Sequence, residues 1–245
     1  MGLPVLVAKA LADAGYDLIE PGHDGWFLAR VSGSPVVLAI RPDATGALVA
    51  IPEPGLIQRI WLQEAAATPP AGMTDVGMAA SPAQLYEGLR VLHSLQTHPA
   101  AALSAALEAR LAAIPETERT QEVRQRIGQD VFREALMELW ERRCALCDVT
   151  LPLALLRASH AKPWARSDES ERLDPFNGLL LAVHFDALFD QGLISFDDEG
   201  QTLISSHLAA EARQFLKLDA LPRLRFVLPG HREYLRYHRT HVFLP

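Results

Sequence analysis

Apolar residues recur at helical spacing over residues 3–14, and then the pattern changes. Trp26 to Val31, Pro35 to Ile40 and Ala47 to Ile51 are short runs split by Ser-Gly and Pro-Asp-Ala-Thr-Gly turns, which predicts three strands. Residues 56–65 and 82–95 return to helical spacing, with a loop over 67–82. Residues 100–114 are rich in alanine and leucine and predict a helix that Pro115 ends. A long amphipathic helix is predicted from near Glu118 to about Arg143. Val123, Ile127, Val131, Phe132, Ala135, Leu136 and Leu139 form its core-facing stripe.

Further on, Leu155 to Ser159 predicts a strand ending at His160, followed by a polar loop over 161–176. A short helix over 182–190 stops before Gly192. Leu193 to Phe196 and Thr202 to Ile204 predict a hairpin around Asp198-Glu199-Gly200, and helices over about 207–216 and 230–241 close the chain. The class is α+β. A small α+β N-terminal domain spans 1–115 and a helix-rich domain spans 116–245, with no internal repeat.

With 245 residues and 49% hydrophobic content the chain can fill a sizeable core. No apolar run approaches the roughly 18 residues that cross a bilayer. The opening MGLPVLVAKALADAG lacks a basic region, and Leu6 breaks the myristoylation pattern after Gly2. The expectation is a soluble, cytoplasmic protein without a membrane partner. Cys144 and Cys147 are spaced as a metal half-site or a redox pair, or they are two core thiols; a disulfide framework is excluded by count.

The net charge of −7 is unevenly spread. Residues 1–118 carry −6 and 173–212 carry −7, whereas 119–172 carry +1 and 213–245 carry +5. A folded surface can still offer a basic stripe to phosphates, because the field follows placement and not the sum.

The candidate chemistry lies in 155–190. His160 ends an apolar run, Asn177-Gly178 follows seventeen residues later, and Asp186 and Asp190 stand nine and thirteen residues beyond that asparagine. Phosphodiester hydrolysis needs a base for water and a cation for the charge growing at phosphorus. A neutral histidine suits the first task. Two carboxylates four apart share one helical face and suit a hard divalent ion. His184, two positions before Asp186, is a rival ligand whose side chain diverges by about 200° on a regular helix. The ligand ranking is Asp186, Asp190, His184. The Asn177 amide could pin the loop, and Ser159 could bond locally or reach the ion through water. Lys162 and Trp164 are candidates for phosphate and for a base or sugar, and Arg157 joins them as a substrate-binding candidate.

At these residues the chain resembles the HNH endonuclease family, in the branch assigned to restriction endonucleases. The similar text is ERTQEVRQRIGQDVFREAL, RRCALC, LLRASHAKPW and ERLDPFNGLLLAVHFDALFDQGLISFDDEG, extending to HREYLRYHR, about residues 118–240. The resemblance implies a ββα-metal core holding one divalent cation, Mg²⁺ or Mn²⁺ ahead of Zn²⁺ or Ni²⁺. It makes His160 the general base and Asn177 the central asparagine. Asp186 falls where the family's last histidine stands, and Ser159 falls where many relatives carry an acid.

The expected activity is a metal-dependent DNA endonuclease leaving 5′-phosphates, in restriction of foreign or modified DNA. The rival is an inactive DNA-binding or regulatory module on the same fold. The partner is DNA, and cleavage of both strands would favour a homodimer.

Overall fold

The computed structural model describes residues 2–34, 36–44, 46–60, 65–97, 100–116, 120–147, 149, 151–218 and 223–245. They form two compact units, one of residues 1–97 with 228–230 and one of 98–227 with 231–245. The break near 97 differs from the one drawn at Pro115 because helix α4 (Ala100–Ala112) packs along α5 (Gln121–Leu139), with Arg110 bonded to Glu134 and Arg124 to Glu108, each at 2.7 Å.

The first unit is an antiparallel meander of β1 (Leu18–Pro21), β2 (Phe27–Arg30), β3 (Val37–Pro42), β4 (Ala47–Ile51) and β5 (Asp75–Ala79), in that order. Helices α1 (Val5–Asp13) and α3 (Pro82–Thr97) pack together, and α2 (Leu56–Ile60) lies against β5. Strand β4 is buried along its whole length. Leu48 and Ala50 join Trp26, Ala39 and Val76 on one side, so Val49 and Ile51 are buried on the other. Period-two alternation is absent from such a strand, yet its apolar run still predicts it. Strands β1 and β5 escape the pattern. All four residues of β1 are exposed, and β5 carries Gly77 inside a Gly- and Ala-rich stretch. Residues 61–64 of the predicted 56–65 helix and Glu118 of the predicted long helix lie outside the described residues.

The second unit is built on α5. Thr120 caps it by accepting from the Val123 amide at 3.3 Å. Its buried stripe is Val131, Phe132, Ala135, Leu136, Met137 and Leu139, and Trp140 behind it stacks on Phe226. Strand β6 (Leu156–His160) pairs antiparallel with β7 (Gly178–Ala182), in a register that sets His160 opposite Gly178. Helix α7 (Val183–Asp190) follows β7 at once and packs on both strands. The hairpin of β8 (Ile194–Phe196) and β9 (Thr202–Ile204) comes next, then α8 (Ala210–Phe215) and α9 (Pro229–His241).

The segment 161–176, predicted as loop, carries a 3-10 turn at Trp164–Arg166, helix α6 (Glu169–Leu173) and the start of a second 3-10 turn at Pro175–Asn177. Helix α6 is held by a capping box. Asp168 accepts from the amides of Ser170 and Glu171, while Glu171 accepts from the amide of Asp168. Among the described residues no helix is long and apolar enough to cross a membrane.

Candidate functional site

The hairpin and α7 set the site. Asn177 closes the second 3-10 turn, and Gly178 after it is extended, with φ −136°. A Cβ on it would fall 2.5 Å from Phe132 and 2.6 Å from Leu136, so glycine is what lets α5 close on the start of β7. The Asn177 side chain is fully buried and saturated. Its Oδ1 accepts from the Lys162 amide at 2.7 Å. Its Nδ2 donates to the carbonyls of Glu171 and Lys162 at 3.0 and 3.2 Å and to Ser167 Oγ at 3.3 Å. Asn177 thus ties the loop after His160 to the foot of β7. Sealed in this way it fits positioning, and contact with a substrate is not open to it.

Successive residues of a strand face opposite ways. Ser159 faces α7 and donates to Asp186 Oδ1 at 2.6 Å. It is buried, so it orients the carboxylate. His160 faces α5, where its ring stacks on Phe132 at 3.8 Å and 16° and meets Trp164 edge-on at 5.6 Å. Its Nε2 lies 3.0 Å from the carbonyl of Arg172. A carbonyl can only accept, so Nε2 carries the proton and Nδ1 carries the lone pair. Nδ1 has no partner among the described residues. Burial pushes the imidazole pKa down to about 4, against the opposing pull of the Arg172 carbonyl, so the ring is neutral at pH 7.

Asp186 and Asp190 lie one turn apart on α7. Asp190 is an exposed residue whose carboxyl is nevertheless crowded by protein. That crowding, then the charge of Asp186, pushes its pKa up to about 6. His184 is exposed and its ring packs against Phe185 at 3.9 Å. Helix α7 is regular, so His184 does not turn towards the two acids.

Among the described residues no three His, Cys, Asp or Glu side chains gather as a ready-made metal cluster. The predicted trio is therefore not brought together; two carboxylates are. Two acids in unrelieved repulsion fit a hard ion such as Mg²⁺ or Mn²⁺, which binds through one or two carboxylates and keeps its water. They do not supply the four ligands of a structural zinc site.

The remaining candidates are mostly committed elsewhere. Lys162 Nζ is held by both oxygens of Glu171 at 2.5 and 2.6 Å, so its charge is already neutralised. Arg157 donates to the carbonyls of Ala154 and Leu156 at 2.8 and 3.2 Å. Cys144 and Cys147 are free thiols. Cys144 is buried and accepts from the amides of Leu146 and Ala182 at 3.4 Å. Burial, then Cys144, pushes Cys147 up to about 11.

The HNH endonuclease family model matches residues 144–197. That stretch holds both cysteines, the β6–β7 hairpin and α7, and with them every hydrogen bond of His160, Asn177 and Asp186 described above. An HNH-family domain is thus present in the second unit, and it links the chain to nucleases in general. A comparison with curated proteins finds no match.

Two contributors were missed in the sequence. The Arg172 carbonyl is backbone and leaves no residue-type signal. Glu171 could have been found, because Asp168 to Glu171 has the spacing of a capping box.

Proposed function

We propose that the second unit is a divalent-metal-dependent DNA endonuclease, acting in restriction of foreign or modified DNA. The observation that carries this reading is the state of His160: neutral, fixed in one tautomer, with an Nδ1 lone pair that no described residue takes up. An imidazole held neutral in one tautomer can accept a proton at once, and a phosphate's negative charge beside it would raise its pKa towards the working pH. A scissile phosphate would lie across the end of β6, reached by Nδ1 from one side and flanked by the α7 carboxylates on the other. His160 would take a proton from water at Nδ1 and hold it. Phe132 and the Arg172 carbonyl would keep the ring from turning. Ser159 would aim Asp186, and Asn177 would hold the segment whose helix α6 carries Arg172. A cation held by Asp186 and Asp190 would supply charge neutralisation at the phosphate.

Plasmid DNA incubated with the protein and Mg²⁺ or Mn²⁺ tests this. Wild type should nick or linearise it, and His160→Ala should be slower by about 100-fold or more. Equal cleavage by both proteins would remove His160 from the reaction. DNA binding by a well-folded wild type that never cuts would favour the inactive-module reading, which the aspartate in the last histidine's place motivates.

A further inference from the structure

We infer that a groove beside the imidazole, distinct from the carboxylates of α7, receives one unstacked nucleobase. The groove holds about 440 Å³ between α4, α5 and α6. That is the scale of a small-molecule site. Trp164 lines it, and its seating is specific. The Arg172 guanidinium lies 5.3 Å over the indole, and Arg172 Nε donates to the Trp164 carbonyl at 3.1 Å. Gly128, in the middle of α5, would put a Cβ 2.5 Å from the indole Cη2. Glycine weakens a helix interior. The chain keeps it where the indole lies against the helix.

The charges of the groove decide what it can take. Arg124 is bonded to Glu108 at 2.7 Å and lies 3.6 Å from Glu169, and Arg172 sits on the indole. Two cations thus face two acids, which leaves no surplus charge for a phosphate. What remains is an aromatic ring and the amides of Gln121 and Gln125, one turn apart on α5, which make no hydrogen bond to a described residue. An amide offers a donor and an acceptor side by side, as the edge of a base requires. The Arg172–Trp164 stack gives the base a flat partner, since guanidinium and indole planes both take a base's face. The base must be out of its duplex, because pairing hides the edge that the amides would read. Trp164 also meets His160 edge-on at 5.6 Å, so a base held there places its own strand near the imidazole. This inference rests on the nucleic-acid reading above but not on hydrolysis.

The test uses the full chain in EDTA, where cleavage is off. Fluorescence anisotropy compares labelled dT and dA pentanucleotides with a pentamer of the same backbone whose sugars carry no base. Base-bearing strands should bind about tenfold tighter than the abasic one. Ser104→Trp fills the groove from an exposed position on α4, and Gln121→Ala with Gln125→Ala removes the amides. Each should erase most of that preference while the thermal unfolding midpoint stays put. If Ser104→Trp does not fold, the glutamine pair decides alone. Equal affinity for base-bearing and abasic strands overturns the inference, as does full preference in either folded variant. Plasmid cleavage without base preference sinks this inference alone; base preference without cleavage sinks the hydrolysis alone.

Discussion

His160 and His238 are built almost alike, and they differ at one nitrogen. Each ring stacks on a phenylalanine, His160 on Phe132 at 3.8 Å and His238 on Phe189 at 3.7 Å. Each gives its Nε2 proton to a backbone carbonyl at 3.0 Å. Burial pushes both pKa values down to about 4. At His238, however, the Ser195 hydroxyl donates to Nδ1 at 2.9 Å, and the residue is fully buried. At His160 the same atom has no partner among the described residues. A buried, neutral histidine is thus an ordinary structural device in this chain. Only the open lone pair sets His160 apart.

Alanine at each position should separate the two roles most widely. His238→Ala leaves Ser195 unpaired and a void beside Phe189, at a cost of about 3 kcal/mol. Its cleavage rate per folded molecule should stay near wild type. His160→Ala should cost about 1 kcal/mol of stability and remove cleavage. Urea melts paired with plasmid assays read both. A large stability loss at His160 with cleavage intact would make the two histidines the same kind of residue.

Asn177 is the support that only His160 has. Asn177→Ala removes four hydrogen bonds from a sealed site and should cost about 3 kcal/mol. The segment of α6 that carries Arg172 should loosen, and the imidazole should lose its fixed tautomer. Backbone amide exchange across 161–173 should speed up while 231–241 stays protected. Uniform loosening of both segments would count against a local tie.

The contrast between the histidines also marks how far the sequence reaches. The positions of β6, α7, α9 and the 193–204 hairpin follow from their apolar runs, and α7 and α9 each bury one face. Their side-chain partners do not. The Asn-Gly dipeptide reads as a turn, yet it marks a close approach of α5 to β7 that only three-dimensional packing reveals. Four-residue spacing placed Asp186 and Asp190 together correctly, since helix geometry is local. It could not say that Lys162 is taken up by Glu171, because that pairing depends on how a polar segment folds back. The open Nδ1 of His160 is invisible in sequence for the same reason: it is defined by what does not contact it.

Acid should move the two histidines together. Between pH 6.5 and about 4 the unfolded rings take up protons that the folded ones refuse. Stability contributed by each is present above pH 6.5 and is lost as pH falls towards 4. Removing either ring, as in His160→Asn or His238→Asn, should flatten the fall of the unfolding midpoint over that window. The two variants should flatten it to a similar degree, since both rings are pushed down to about 4. An unchanged slope in both variants would mean that neither ring is held neutral.

Asp190 should behave in the opposite sense, and that isolates the face of the hairpin that neither imidazole touches. Its carboxyl is raised to about 6 from an ordinary 3.8, so the folded state favours the protonated form. The stability it contributes is present at low pH and is lost as pH rises through about 6. In metal-free buffer Asp190→Asn should therefore raise the unfolding midpoint by a few degrees at pH 7 and hardly at all at pH 4. Mn²⁺ should raise the wild-type midpoint at pH 7, because a cation between Asp186 and Asp190 replaces repulsion with attraction. It should do less for Asp190→Asn. If Mn²⁺ shifts both proteins equally, the ion binds elsewhere, and the carboxylate pair is only an acidic surface behind a well-made histidine.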